Sequence, residues 1–271
     1  MANTKISALT TASALVGTDL LPIVQDVATT PVTRKVALDD LFDFWSFIDG
    51  WVDPNETWTY ASATTFTISG DKTAIYTKGL KLKMTNTTVK YFYVVSSSYS
   101  APNTTVTITG GTSYTLANAA ISANYYSRAD KPQGFPTYFS YTPTYTGTGF
   151  AIGNATVVAA FTISNGGWVD YIFDLTYGST TDFGTTQIGI SLPVSVAAAP
   201  AATYFGVAHL RDSGTNNYDR STQIAASLSA TEIKFFNQLD SPTNVSTVYK
   251  TVPFTWGTAD TLQFQTRYLM A

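Results

Sequence analysis

Residues 141–193 contain the clearest β-strand pattern of the chain, YTPTYTGTGFAIGNATVVAAFTISNGGWVDYIFDLTYGSTTDFGTTQIGISLP. Within it, residues 168–177 alternate large apolar side chains with polar ones, which is the period of two of a strand with one buried face. The segment SNGG at 164–167 supplies residues that tolerate positive φ, as a tight reversal requires. The sequence therefore predicts a β-hairpin over residues 155–177. The predicted buried side chains are Val169, Tyr171, Phe173, Leu175 and Tyr177.

Further strands are predicted on both sides of this hairpin. Residues 49–136 contain four strand-like runs, at 64–69, 80–86, 89–95 and 104–109, with Gly, Pro and Asn turns between them. Strands at this spacing predict a small antiparallel β-barrel or sandwich.

Residues 137–271 contain the hairpin and five or more further strands. Apolar residues alternate at Ile188, Ile190 and Leu192, and a second alternating run comprises Phe205, Val207 and His209. Together they predict a jelly-roll-like β-sandwich of two sheets. The Ala- and Pro-rich run at 194–202 is predicted to be a connecting loop, with a surface contact arm as the alternative.

Residues 1–48 differ from the rest. Leu38, Leu41, Phe42 and Trp45 follow the spacing i, i+3, i+4 and i+7 and predict a short amphipathic helix. This segment is too small to form its own core and needs a partner. The chain is therefore predicted to be all-β, with an N-terminal extension over 1–48, a middle β-module over 49–136 and a C-terminal β-sandwich over 137–271.

Composition narrows the classes of function. Only 12% of the 271 residues are charged and the net charge is −3, so the sequence predicts no nucleic-acid partner. The chain has no cysteine, which excludes disulfides and cysteine-based metal sites. No run has the apolar core of a signal peptide or the length of a membrane span, so no membrane insertion is predicted.

Candidate catalytic residues were weighed against simpler roles. His209 is the single histidine, and a Ser/His/Asp relay would depend on it, but we interpret it as a core or interface histidine. Asp170 and Asp174 share a strand face, where their α-carbons are about 13 Å apart. Glycosidase carboxyl pairs lie about 5–9.5 Å apart, so these two are interpreted as outer-face positions. A catalytic pair formed across strands by Asp212 or Asp219 with another carboxylate remains open.

Ligand-binding candidates were weighed in the same way. Asp49, Asp53, Asn55 and Glu56 concentrate oxygen ligands and suggest Ca²⁺, but the spacing lacks the EF-hand order, and a turn is the preferred interpretation. Tyr125, Tyr126 and the loop around Tyr218 are the exposed aromatic candidates for a lectin-like site; aromatic packing in a β-core is the simpler role. No catalytic, cofactor-binding or metal-binding residue is therefore predicted, and the chain is expected not to be an enzyme.

Several segments of the sequence resemble segments of known protein families. YTPTYTGTG at 141–149, IGNAT at 152–156, LTYGSTTDFG at 175–184, ISLP at 190–193 and PFTWGTADTL at 253–262 resemble a C-terminal β-sandwich module of bacteriophage tail-fibre and minor structural proteins. WTYASATTFTISGD at 58–71, KGLKLKMT at 78–85, VKYFYVV at 89–95, YTLANAAI at 114–121 and PQGFP at 132–136 resemble a module of phage tail and baseplate-associated proteins. Residues 6–25 and 33–41 are similar to the N-terminal segment of phage tail spikes and fibres.

The resemblance implies a virion structural protein of a bacteriophage, a tail fibre or a comparable appendage, made in the host cytoplasm. It implies a homotrimer that another virion protein holds through residues 1–48, with a host surface glycan or receptor as a further partner. A capsid-bound head fibre or decoration protein is the alternative. A glycan-binding or glycan-degrading receptor-binding protein ranks below both.

Overall fold

The computed structural model describes residues 20–25, 32–37, 49–112, 114–197, 204–214, 218–226, 231–238 and 245–271. The chain divides into two compact units, Met1–Val52 and Asp53–Ala271. Every regular element in the described residues is a strand, and the antiparallel sheets curl into a sandwich-like arrangement. The all-β prediction is confirmed. The helix predicted at residues 38–45 lies outside the described residues.

The first unit contains a pair of antiparallel strands. They are β1 (Leu20–Gln25) and β2 (Val32–Ala37), and their register pairs Leu20 with Ala37 and Gln25 with Val32. The sequence predicts only an extension with a short helix over residues 1–48, so neither strand was expected.

A six-stranded antiparallel sheet, the middle sheet, opens the second unit. Its strands are β3 (Thr59–Ser62), β4 (Thr65–Ser69), β5 (Lys81–Asn86), β6 (Thr88–Ser100), β7 (Asn103–Thr109) and β8 (Ser122–Ser127), in the order β3-β4-β7-β6-β5-β8. The four predicted strands are confirmed, although β6 continues five residues past its predicted end. One face of the sheet covers its own core, in which Trp58 stacks on Phe66 with ring centroids 4.6 Å apart.

The rest of the second unit is built on a ten-stranded sheet, the large sheet. The strands of residues 137–271 are β9 (Phe139–Ser140), β10 (Tyr145–Thr146), β11 (Phe150–Ala151), β12 (Thr156–Ser164), β13 (Trp168–Thr176), β14 (Asp182–Phe183), β15 (Gly189–Ser191), β16 (Tyr204–Asp212), β17 (Tyr218–Ala226), β18 (Glu232–Gln238), β19 (Val245–Thr247) and β20 (Thr261–Leu269). The hydrogen-bonded order is β10-β15-β18-β17-β16-β20-β13-β12-β9, β19 pairs with β18, and β11 pairs with β14 outside the sheet. Strand β20 therefore lies between β13 and β16.

The hairpin predicted over residues 155–177 is confirmed as β12 and β13. Ser164 pairs with Trp168 across a three-residue turn, in which Gly166 and Gly167 adopt φ of 89° and 84°. The alternation sets the faces as expected: Val169, Tyr171, Phe173, Leu175 and Tyr177 are all buried. Across the next strand pair, Phe173 stacks on Phe264 with ring centroids 5.0 Å apart.

The two sheets contact one another inside the second unit. Tyr93 of the middle sheet belongs to the core of the large sheet, and its hydroxyl hydrogen-bonds to Thr162 Oγ1 of β12 at 2.9 Å. Beside this contact, the side-chain amide of Asn165 donates to the Arg128 carbonyl at 2.8 Å. The segment 128–138, which links the sheets, lies at this junction. The division of this part of the chain into a middle β-module over 49–136 and a C-terminal β-sandwich over 137–271 stays a prediction.

Candidate functional site: the Lys81 cleft

The carboxylates of the hairpin lie on the outer face of the large sheet, as predicted. Asp170 Oδ1 is 3.7 Å from Arg267 Nε, and Asp174 Oδ2 accepts a hydrogen bond of 2.9 Å from the side-chain amide of Gln263. Each carboxylate therefore has its own partner on β20. The structure does not bring the two together into a catalytic pair.

The sequence predicts that His209 faces a core or an interface, and the structure places it on the face of β16 that points away from the core. Among the residues of β16 whose side chains are described, Ala208 and Leu210 are buried, so the half-buried His209 points away from the core, with Gln263 as its neighbour on β20. Strand β16 has two alternating sets of apolar residues, at 205 and 207 and at 208 and 210, and the structure buries the second set, which alternation alone does not single out. The core placement is wrong for this reason, and the interface role stays a prediction.

The acidic residues that suggested Ca²⁺ take part in local structure. Asp49 Oδ1 accepts from the Trp51 amide at 2.9 Å, and Asp53 Oδ1 accepts from the Asn55 amide at 2.7 Å. Both are short-range bonds of the kind that acidic residues make in turns, which is the preferred interpretation of the sequence. The carboxylate of Glu56 forms an ion pair with Lys72 and accepts from the Tyr76 hydroxyl. Across the described ranges, no three His, Asp or Glu side chains come close enough to hold a metal ion.

The remaining candidates are dispersed. The Tyr125 ring faces the Lys83 ammonium at 4.9 Å, and Tyr126 packs edge-on against Tyr76. Asp212 Oδ1 accepts from the Gly214 amide at 2.8 Å. The side chains of Tyr218 and Asp219 lie outside the described residues.

A cleft at the junction of the two sheets is the strongest candidate site, and we name it the Lys81 cleft. Its volume is about 590 Å³, within the range of about 300–1,000 Å³ of small-molecule sites. Strands β5, β6 and β12 and the segment 128–138 supply its walls. The lining residues are Lys81, Tyr93, Asp130, Lys131, Phe135, Pro136, Thr137, Tyr138, Thr162, Ile163 and Ser164.

Lys81 is the residue that distinguishes this cleft. It begins β5, and its side chain is on the face opposite the core residues Leu82 and Met84. A lysine on that face would ordinarily be solvated, but segment 128–138 covers it and leaves Lys81 only 4% exposed. The ammonium donates to the Ala129 carbonyl at 3.2 Å and lies 5.9 Å from the centre of the Phe135 ring. Burial lowers the pKa of Lys81, and the nearby charge of Asp130 opposes that shift.

The walls of the cleft combine rigid rings with exposed polar groups. Tyr93 packs edge-on against Phe135 with ring centroids 5.0 Å apart, and burial raises the pKa of Tyr93, so its hydroxyl is neutral at ordinary pH. Tyr138 is 46% exposed at the rim. Two ammonium groups and one carboxylate line the cleft, together with the hydroxyls of threonine and serine. This set of groups suits the binding of an anionic, hydroxyl-rich ligand.

Sequence reasoning missed this site. Lys81 and the segment PQGFP at 132–136 were both quoted as parts of one module, but no local pattern indicates that they meet. Their contact depends on how segment 128–138 folds back over β5. The described residues include no helix with the length and apolar character that a membrane crossing requires. Comparison of the chain with known protein families, with curated proteins and with solved structures found no match.

Proposed function

We propose that this protein is a structural component of a bacteriophage particle, a tail fibre or a comparable appendage. Residues 1–48 would hold it to another virion protein, and the C-terminal sheet would face outward. The observation that carries the proposal is the ordered series of sequence patches that resemble phage modules. Many of these patches coincide with strands of one framework: KGLKLKMT leads into and forms most of β5, and VKYFYVV lies within β6.

The architecture supports a mechanical role. The middle sheet packs one face on its own core and places Tyr93 from the other face in the core of the large sheet. Residues 53–271 therefore form one compact unit. A close-packed interior of this kind has low compressibility and transmits force between its ends.

The outer face of the large sheet supports association of several copies, which we propose to be a homotrimer. Trp168 and Leu269 are register partners on β13 and β20 and are 44% and 40% exposed. Val158, on the neighbouring strand β12, is 62% exposed. Contact between copies would bury these side chains, and removing their apolar surface from water is favourable. Light scattering of the purified chain should give three times the mass of 29.2 kDa.

Immunoelectron microscopy tests the location. Antibodies against residues 137–271 should label the tail or its fibres on intact particles of the virus that encodes this chain. Label on the head would favour the alternative of a capsid-bound head fibre or decoration protein. Mass spectrometry that finds none of the chain in purified particles would overturn the proposal of a virion component.

A second assay tests the proposed absence of enzymatic activity. The purified protein is incubated with host capsule or cell-wall polysaccharide, and the chain length of the polysaccharide is measured by size-exclusion chromatography. Unchanged chain length is expected. Shortened chains would contradict the proposed absence of activity and favour the alternative of a glycan-degrading receptor-binding protein.

A further inference from the structure

We propose that the Lys81 cleft binds an acidic saccharide, with the carboxylate of a sugar at Lys81 and the sugar ring against the aromatic wall. The inference concerns the compact unit Asp53–Ala271 alone. It does not depend on the virion location proposed above, so the two can fail separately.

The buried ammonium has N–H donors for which the described part of the chain supplies too few acceptors. An ammonium group carries three N–H donors, and the Ala129 carbonyl takes one of them. Among the described residues, no carboxylate forms an ion pair with Lys81, although the charge of Asp130 acts on it. A buried charge without a partner is costly, and a bound carboxylate would satisfy the remaining donors.

The charges of the cleft favour a singly charged anion. Lys81 and the exposed Lys131 contribute two positive charges, and Asp130 opposes one of them. A carboxylate that enters the cleft therefore meets a net attraction. The Asp130 carboxylate can accept hydrogen bonds from hydroxyl groups of the same ligand, because an ionised carboxylate is an acceptor only.

The size and lining of the cleft point to a sugar rather than to a simple ion. A lone anion at Lys81 would fill a small part of about 590 Å³ and leave the rings uncovered. The apolar C–H face of a pyranose can cover an aromatic ring, and Tyr138 offers an accessible one at the rim. The hydroxyls of Thr137, Thr162 and Ser164 lie among the lining residues and can exchange hydrogen bonds with sugar hydroxyls.

Isothermal titration calorimetry on the full chain tests the inference. The probes are galacturonic acid and sialyllactose, each with one carboxylate, and the methyl ester of each is its uncharged counterpart. At least one acidic probe should bind with a dissociation constant below about 10 mM, and its uncharged counterpart should bind at least about tenfold more weakly. Absence of binding by both acidic probes, or equal binding of the charged and uncharged forms, would overturn the proposal.

Matched variants assign the binding to the cleft. Lys81→Met should weaken the acidic probe about tenfold or more, while Lys83→Met, the same change two residues along β5 and outside the cleft, should leave the affinity unchanged. Asp130→Asn should strengthen binding, because it removes the opposing charge and keeps one side-chain oxygen that accepts hydrogen bonds from sugar hydroxyls. Equal affinity of the Lys81 and Lys83 variants would refute the assignment. Asp130 and Tyr138 are exposed, so their variants test the site even if Lys81→Met fails to fold.

Two further titrations separate a saccharide site from other anion sites. Tyr138→Ala should weaken the binding of the acidic saccharide and leave any binding of inorganic phosphate unchanged, because only the sugar would contact the Tyr138 ring. Phosphate that binds as tightly as the saccharide would overturn the saccharide assignment. A glutamate-rich peptide that binds more tightly than either saccharide would also overturn it and indicate a protein partner.

Discussion

The change Asp260→Asn should destabilise the chain strongly although it alters a single atom of the side chain. Asp260 is 2% exposed and lies just before β20. Its Oδ1 accepts from the amide of Ser213 at 2.8 Å and from the hydroxyl of the same residue at 3.0 Å. Its Oδ2 accepts from the Gly257 amide at 2.6 Å. The carboxylate therefore ties the loop before β20 to the end of β16.

An asparagine at this position can accept on one side only. With its oxygen towards Ser213, its NH₂ group faces the Gly257 amide, so a donor meets a donor in a buried place. Loss of a hydrogen bond to a charged group costs about 1.5–3 kcal/mol, and the two bonds that remain lose their charge assistance. We expect a total of about 3 kcal/mol, which corresponds to a fall of about 6–12 °C in the thermal midpoint for a unit of this size.

Thermal unfolding followed by near-ultraviolet circular dichroism measures the effect, with Asp174→Asn as the matched control. The control makes the same Asp-to-Asn change on the outer face of the sheet, where the hydrogen bond from Gln263 to Asp174 is exposed. It should therefore change the free energy of unfolding by less than about 0.5 kcal/mol. Equal midpoints for the two variants would refute the reasoning, since they would show that the buried bonds of Asp260 contribute no more than a surface contact.

Three further outcomes are expected. Gly79→Ala should be less stable than Gly70→Ala by about 1–3 kcal/mol in urea unfolding. Both glycines have φ near 80°, so the backbone strain is the same, but only a Cβ on Gly79 would collide with the last carbonyl of β12. Equal losses of stability would contradict the close contact between the sheets. Burial raises the pKa of Tyr145 to about 12, so the folded phenol stays protonated while the unfolded one ionises above about pH 10. The contribution of Tyr145 to stability should be fully present below about pH 10 and be lost as the pH rises from about 10 to 12, and a thermal midpoint that stays flat over that range would contradict it. Tyr76→Phe should lower the free energy of unfolding by about 1–3 kcal/mol in the same urea assay, because it leaves the buried Trp58 indole N–H without its acceptor. An unchanged midpoint would show that the indole finds another partner.

The sequence predicted the parts of the fold in which local alternation coincides with burial. The hairpin β12–β13 and the strands β4, β5 and β7 have large apolar side chains on one face, and a period of two is visible in them. Strands β3 and β8 were missed because TYAS and SANYYS have mostly half-exposed or exposed residues and little apolar contrast between faces. The error at His209 has a different cause, since β16 has apolar residues in both of its alternating sets, and nothing local in the sequence shows that the set with Ala208 and Leu210 is the buried one.

The candidate site depends on contacts that no local pattern contains. Alternation in β5 correctly places Lys81 on the face away from the core of the middle sheet, and on that basis alone the residue would be solvated. Its burial comes from segment 128–138, about fifty residues later in the chain, which folds over that face and brings Phe135 to the ammonium. Propensity and periodicity describe one element at a time, so they cannot predict which distant loop will cover it.

The position of β20 between β13 and β16 has a consequence for the order of folding. During synthesis, β13 and β16 leave the ribosome long before the strand that separates them in the sheet. Until β20 is made, each has an unpaired edge that could join the other directly or join a strand of another chain. The large sheet is therefore completed only after translation of residues 261–269, and the pairing of β20 with β13 spans about ninety residues. Contacts of such long range make folding slow, so nascent chains of this protein are expected to need protection from one another.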